Sequence, residues 1–148
     1  MIQTHTLDEF RVKYRVDELT IFDTGIWTWS LRPEQPTLGS GIISLNRYAL
    51  NFSDVDPDEM ADLGKLIKIA EKTLKITFNH DVMNYLMLMM VDHHVHYHVI
   101  PRYEAARYFE GVSWADAGWP TLPILSDSQH KTRKGMLEAM CVLLKESI

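Results

Sequence analysis

His94-Val95-His96-Tyr97-His98-Val99-Ile100 alternates an imidazole with a β-branched or aromatic residue three times and stops at Pro101. Alternation with period two is strand patterning, because successive side chains point to opposite faces. A strand over His94 to Ile100 sets His94, His96 and His98 in one row. It turns His93, Val95, Tyr97 and Val99 the other way. Rings in such a row are expected ~6.5–7 Å apart, too far to bond one another without tilting. That spacing suits three contacts with one ligand. Three readings are open: a polar strand face that happens to be rich in histidine, a metal site with His80 or Asp92 as fourth ligand, and nucleophilic catalysis at phosphorus. The last needs one imidazole with its near nitrogen on a backbone carbonyl and its distal nitrogen free, beside others that donate to phosphate.

Working outward, Val82 to Val91 is apolar on both faces and is expected as a buried central strand, with a buried helix as the rival. Asp56-Pro57-Asp58-Glu59 is a helix start, with Asp56 as cap and Pro57 in the first turn. Met60, Leu63, Ile67, Ala70 and Leu74 then mark one helical face to about Thr77. Leu19 to Asp23 and Ile26 to Leu31 read as strands around Asp23-Thr24-Gly25, a hairpin signal. Gly41 to Leu45 reads as a third strand. Arg32-Pro33-Glu34-Gln35-Pro36 is a loop, since its prolines suit neither ladder nor helix. A short amphipathic helix is expected over Leu7 to Tyr14. The stretch from Arg102 to Pro123 reads as irregular. A last helix capped at Ser126-Asp127-Ser128 carries Met136, Leu137, Met140, Leu143 and Leu144 on its apolar face. This order predicts an α+β domain, an antiparallel sheet with helices packed on it, as one domain over residues 1–148.

The chain has 148 residues, 15 Lys and Arg against 20 Asp and Glu, and a net charge of −5. Its mild acidity argues against a nucleic-acid partner, which calls for a basic surface. The longest apolar run has about half the ~20 residues of a membrane span, so no membrane is expected. Cys141 is the only cysteine, which excludes an internal disulfide and a cysteine-based zinc site and points to a reducing, cytoplasmic setting. No signal-peptide core is present at the N-terminus. Phosphate-cradling glycine loops and a nucleophile elbow are absent from the sequence.

The His94–Ile100 pattern resembles the His-φ-His-φ-His-φ-φ signature of the histidine-triad (HIT) superfamily. Pro101-Arg102 looks like the continuation in its dinucleoside-polyphosphate-hydrolase branch. Leu38-Gly39-Ser40-Gly41-Ile42-Ile43 resembles the glycine-led strand that follows the family's nucleotide-contacting loop. The similarity of order covers roughly residues 15 to 103. The resemblance implies a HIT-like antiparallel five-stranded sheet with a long helix and a C-terminal helix packed on it, and a homodimer. It implies a nucleotide substrate, attack by His96 on the α-phosphorus, a covalent nucleotidyl-histidine and release of the mononucleotide by water. His98 would orient phosphate or nucleophile and His94 would hold the array. No cofactor or protein-bound metal is implied, beyond a divalent cation bound with the substrate phosphates. The alternative is a nucleotide- or metal-binding protein without catalysis.

The sequence departs from that pattern in places. The family's phosphate-contacting Gln, four residues before the first triad histidine, is here Met90, which cannot donate. The polar residue eleven before is here Met83, with Asn84 one step later as the candidate; His93 adds polarity. Arg32, Gln35 and Thr37 are candidates for ribose or phosphate, and Arg102 for distal phosphates. Trp27, Trp29, Trp114 and Trp119 are expected as packing mass. The methionines from Met83 to Met90 are read as core filler. Arg11, Lys13 and Arg15 are read as a solvated face.

Overall fold

The computed structural model describes residues 3–148. Helix α1 (Leu7–Lys13) and the single turn α2 (Val16–Leu19) lead into strands β1 (Thr20–Asp23), β2 (Trp27–Leu31) and β3 (Gly41–Leu45). Helix α3 (Pro57–Phe78) precedes strands β4 (Val82–Leu86) and β5 (His96–Arg102). A small hairpin, β6 (Arg107–Phe109) with β7 (Val112–Trp114), and helix α4 (Met136–Glu146) complete the chain. Strands β1 to β5 form one antiparallel sheet of five in the order β1-β2-β3-β5-β4. This is the α+β arrangement that the pattern predicts, with the five-stranded antiparallel sheet that the resemblance implies.

Local chemistry explains the ends of these elements. The Thr6 side chain caps α1 by accepting from the Glu9 N–H, and Glu9 returns a bond from the His5 N–H at 3.0 Å. Asp56 and Glu59 make the expected reciprocal cap of α3, and Asn79 closes it in the left-handed region. Gly39 takes φ +83° at a tight approach, where an added Cβ would lie 3.0 Å from Leu74. Only glycine meets both demands cheaply. Its neighbour Gly41 lies so close to β2 that a Cβ would sit 2.8 Å from the Ser30 carbonyl oxygen.

The two sheet faces have opposite characters. One carries Trp27, Trp29, Leu31, Ile43, Leu45 and Val99, packed with Leu63, Leu66, Ala70 and Leu74 of α3 and Met140 and Leu144 of α4. Full burial of each such aliphatic side chain contributes ~1.5–3 kcal/mol, and this layer is the main core. The other face carries buried Thr28, Ser30, Ser44, His96 and His98. It is closed by α1 and α2, through Phe10 and Val16 against Ile42. The core side fixes the strand register, and the register fixes which histidines meet α1.

The structure corrects several expectations. Val82 to Val91 is not a central strand: β4 ends at Leu86 and lies at the sheet edge. The run is apolar for mixed reasons. Met83, Tyr85, Met87 and Met89 pack on the core, whereas Leu88 and Met90 are 53% and 79% exposed. The stretch read as irregular holds the β6–β7 hairpin, whose turn residues Glu110 and Gly111 both take positive φ, as a tight hairpin turn requires. Helix α4 begins at Met136 behind Gly135, well past the proposed Ser126-Asp127-Ser128 cap. Strand β5 starts at His96 and runs on through Pro101 to Arg102, so His94 precedes the strand.

Candidate functional site

The three histidines are brought together and held differently. His94 is fully buried, with its ring stacked on Tyr48 at 5.3 Å and edge-on to Phe10 at 4.9 Å. Its Nε2–H donates to the Leu45 carbonyl at 2.8 Å, while Nδ1 accepts from the Ala49 N–H at 3.3 Å. Both nitrogens are therefore committed, and the ring is fixed in one neutral tautomer. It ties the end of β3 to the segment entering β5. Its backbone carbonyl accepts the Nδ1–H of His96 at 2.5 Å. A carbonyl only accepts, so the His96 proton sits on Nδ1 and Nε2 keeps its lone pair. The rings of His96 and His98 lie 5.1 Å apart, edge to face. Tilting makes them closer than flat strand geometry predicts. His98 Nδ1 is buried without a partner among the described residues.

His96 and His98 open into a cavity of about 170 Å³ shared with Lys13, Tyr14, Arg32 and Asp92, with the Leu88–Val91 segment as its further wall. Arg32 is only 8% exposed. Its Nη2 reaches the Leu125 carbonyl at 3.5 Å, and its Nη1 has no partner among the described residues. Burial lowers its pKa while Tyr14 and Glu34 oppose that, and a guanidinium stays charged regardless. Asp92 accepts from Thr4 at 3.1 Å, from Lys13 at 2.7 Å and from the Tyr14 hydroxyl. Burial alone would raise its pKa, but the bonds from Lys13, Tyr14 and Thr4 prevail and hold it below the usual range. The cavity thus offers a lone-pair nitrogen, a second imidazole and a cation with an unused donor, which is a suitable set for an anion with an electrophilic centre.

Burial also lowers the pKa of His94 and His96, and brings His98 to about 3 with Arg32 and His96 adding repulsion. Below ~6.5 the unfolded chain takes up protons that these folded rings refuse. Stability is complete above that pH and falls as the pH drops from ~6.5 towards the lowered folded values. Each ring contributes at most ~1.4 kcal/mol per pH unit in that window. The urea midpoint is expected to fall markedly between about pH 7.5 and about pH 5.5. An unchanged midpoint would contradict this.

Other sequence candidates lie elsewhere. Gln35 is a correction: its Nε2 donates to the Arg32 and Ser40 carbonyls, and its Oε1 accepts from the Gly39 and Ser40 N–H groups. Both polar atoms of its side chain clamp its own loop, so neither is left for a ligand. Asn84 and Arg102 bond each other at 2.7 Å, and Arg102 also pairs with Asp116 at 2.7 Å. Neither lines the triad cavity. His93 is exposed and contacts Gln3 at 2.9 Å. Lys13 and Tyr14 were missed as cavity residues, and Asp92 was named only as a candidate metal ligand. Phe10, Lys13 and Tyr14 share a helical face at i, i+3 and i+4, but nothing local shows which sheet face α1 covers. The reading of Lys13 as solvated is corrected by its pairing with Asp92. Arg11 and Arg15 do pair at the surface, with Asp17 and with Glu18. Among the described residues, no group of three His, Cys, Asp or Glu is placed to hold a metal ion. No helix among them is long and apolar enough to cross a membrane.

Residues 42–105 match the family model described as the HIT domain. The fold is shared with a histidine triad protein of Sinorhizobium meliloti (TM-score 0.72, 19% identity, 98% of each chain covered). A histidine triad protein of Bradyrhizobium japonicum is similar at TM-score 0.70 and 19% identity, covering 100% of this chain and 99% of that one. A hypothetical histidine triad nucleotide-binding protein of Sulfolobus tokodaii gives TM-score 0.67 and 19% identity over 93% of this chain and 87% of its own. No curated protein matches in sequence.

Proposed function

Since residues 42–105 of this chain match the HIT domain family model, we propose that the protein binds nucleotide conjugates and cleaves them at the α-phosphorus through His96. The observation that carries this reading is the 2.5 Å bond from His96 Nδ1 to the His94 carbonyl, which reserves Nε2 for attack. In the first step a bond forms between Nε2 and the α-phosphorus. The bond from phosphorus to the leaving group breaks, and that group departs with the electron pair and takes up a proton from solvent water. The imidazolium so formed is steadied through Nδ1–H by the His94 carbonyl. Arg32 neutralises the phosphoryl oxygens, and His98 hydrogen-bonds the departing group or the incoming water. Water then attacks phosphorus and gives up a proton to solvent, the bond to Nε2 breaks, and mononucleotide is released with His96 restored. The scheme needs no cofactor, and a divalent cation enters only with the substrate's phosphates.

Dinucleoside polyphosphates are the first substrates to test, on the strength of Pro101-Arg102, although Arg102 is occupied by Asp116. Adenosine phosphoramidate shares the reacting centre and is tested beside diadenosine tetraphosphate. AMP release from either supports the reading. AMP binding without release from either overturns catalysis. It would favour the second reading, a non-catalytic nucleotide-binding protein, for which Met90 in place of a phosphate donor is the motivating feature.

The reading includes a homodimer formed along the edge strand β4, where Val82 is 45% exposed and the backbone ladder is open on one side. Sedimentation equilibrium is expected to give twice the chain mass, and a monomer at micromolar concentration would contradict it. The unpaired, buried Cys141 fits a reducing cytoplasm.

A further inference from the structure

A second cavity, at the start of α4, has a charge pattern that the triad pocket does not use. It measures about 330 Å³, nearly twice the triad cavity. Its floor includes the buried Trp114 and Met136, with the His130 ring edge-on to Trp114 at 4.6 Å. Lys131, Arg133 and Lys134 stand around it. None of the three takes part in an ion pair among the described residues. Arg133 reaches only the Glu110 carbonyl, at 3.4 Å. The one acid of the lining, Glu138, lies 3.5 Å from Arg15. Three uncompensated cations thus border one concavity on a chain of net charge −5. Such a concavity focuses positive potential. An extended polyanion would also have to lie along a chain of net charge −5, whereas a small multivalent anion fits within the cavity.

The cavity also adjoins the triad. Pro33 and Gln35 line it, while the preceding residue, Arg32, lines the triad pocket. The cationic segment is fastened to this loop by Gln129, whose N–H donates to the Gln35 carbonyl at 3.0 Å and whose Nε2 donates to the Pro36 carbonyl at 2.7 Å.

We propose that this cavity binds a small oligophosphate, with its phosphates on Lys131, Arg133 and Lys134. The oligophosphate is either the distal part of the substrate or a free anion acting through the Arg32 loop. The probe is inorganic tripolyphosphate, titrated by calorimetry into the wild-type protein, into Lys131→Ala/Lys134→Ala and into His96→Ala. Both lysines are exposed, so the double variant is expected to melt with the wild type. Tripolyphosphate is expected to bind the wild type and His96→Ala alike and the double variant at least about tenfold more weakly. Absence of binding to the wild type, or equal affinity in the double variant, overturns the proposal. Because His96→Ala is included, loss of the catalytic reading leaves this test intact. Turnover of diadenosine tetraphosphate separates the two sources. A raised KM at unchanged kcat in the double variant identifies the substrate's own phosphates. A wild-type rate altered by tripolyphosphate without competition identifies a free anion.

Discussion

His96→Ala will lower AMP release by at least about a thousandfold, while the melting transition stays cooperative. The size of the loss follows from what the substitution removes. His96 supplies the one imidazole nitrogen that faces the cavity with its partner nitrogen already donating, to the His94 carbonyl at 2.5 Å. His98 cannot take over, because its Nδ1 has no carbonyl to hold its proton in place. His94 cannot either, since both its nitrogens are engaged by Leu45 and Ala49. The fold should persist, because the alanine variant keeps the backbone pairing of Ser44 with residue 96 and leaves the main core, on the other sheet face, untouched. Activity within tenfold of the wild type would remove His96 from the role of nucleophile.

Asp116→Ala is expected to destabilise the protein by about 3–5 kcal/mol, the usual cost of leaving a buried charge without its partner. The Arg102 and Asp116 side chains are 5% and 1% exposed. Asp116 accepts from Arg102 Nε at 2.7 Å, from Arg102 Nη2 at 3.2 Å and from the Tyr103 and Gly118 N–H groups at 3.1 and 3.2 Å. Its loss strands a guanidinium and two amides together, and only Asn84 still holds Arg102. Replacing Arg102 by Met in the same variant should recover part of the loss, since the stranded charge is then gone. Urea denaturation measures both. A loss below about 1 kcal/mol in the single variant would show that water reaches the site and that the pair is not a buried one.

How much of this was legible in the sequence differs from element to element. Helix α3 was readable to within a residue because Asp56, Pro57 and Glu59 mark its start and its apolar face repeats without interruption. Strand β3 was readable because Gly41 and the isoleucines after it form a short apolar run bounded by turn residues. The Val82–Val91 run misled because apolarity does not distinguish a central strand from an edge strand followed by a partly packed loop. The hairpin of β6 and β7 was read as irregular because Glu110-Gly111 is not one of the strong turn pairs and its strands are too short to show a period. Within the site, His96 and His98 were visible because alternation reports a shared face. Lys13 and Tyr14 were not, and Asp92 was read only as a metal ligand, because their meeting depends on α1 lying across the sheet, a contact between residues far apart in the chain. Gln35 and Arg102 illustrate the converse. Their types suit phosphate or ribose, yet the folded chain uses up their hydrogen-bonding capacity internally.

The central claim is that a nucleotide is carried on His96 between two displacements. The most direct test mixes the protein with diadenosine tetraphosphate or adenosine phosphoramidate, quenches during turnover in alkali, where a phosphorus–nitrogen bond to imidazole survives, and maps the adduct by mass spectrometry after digestion. The account predicts one adenylyl group on the peptide that contains His96, labile to acid and absent from His96→Ala. AMP released through many turnovers with no adduct, or with the adduct on another residue, would contradict it.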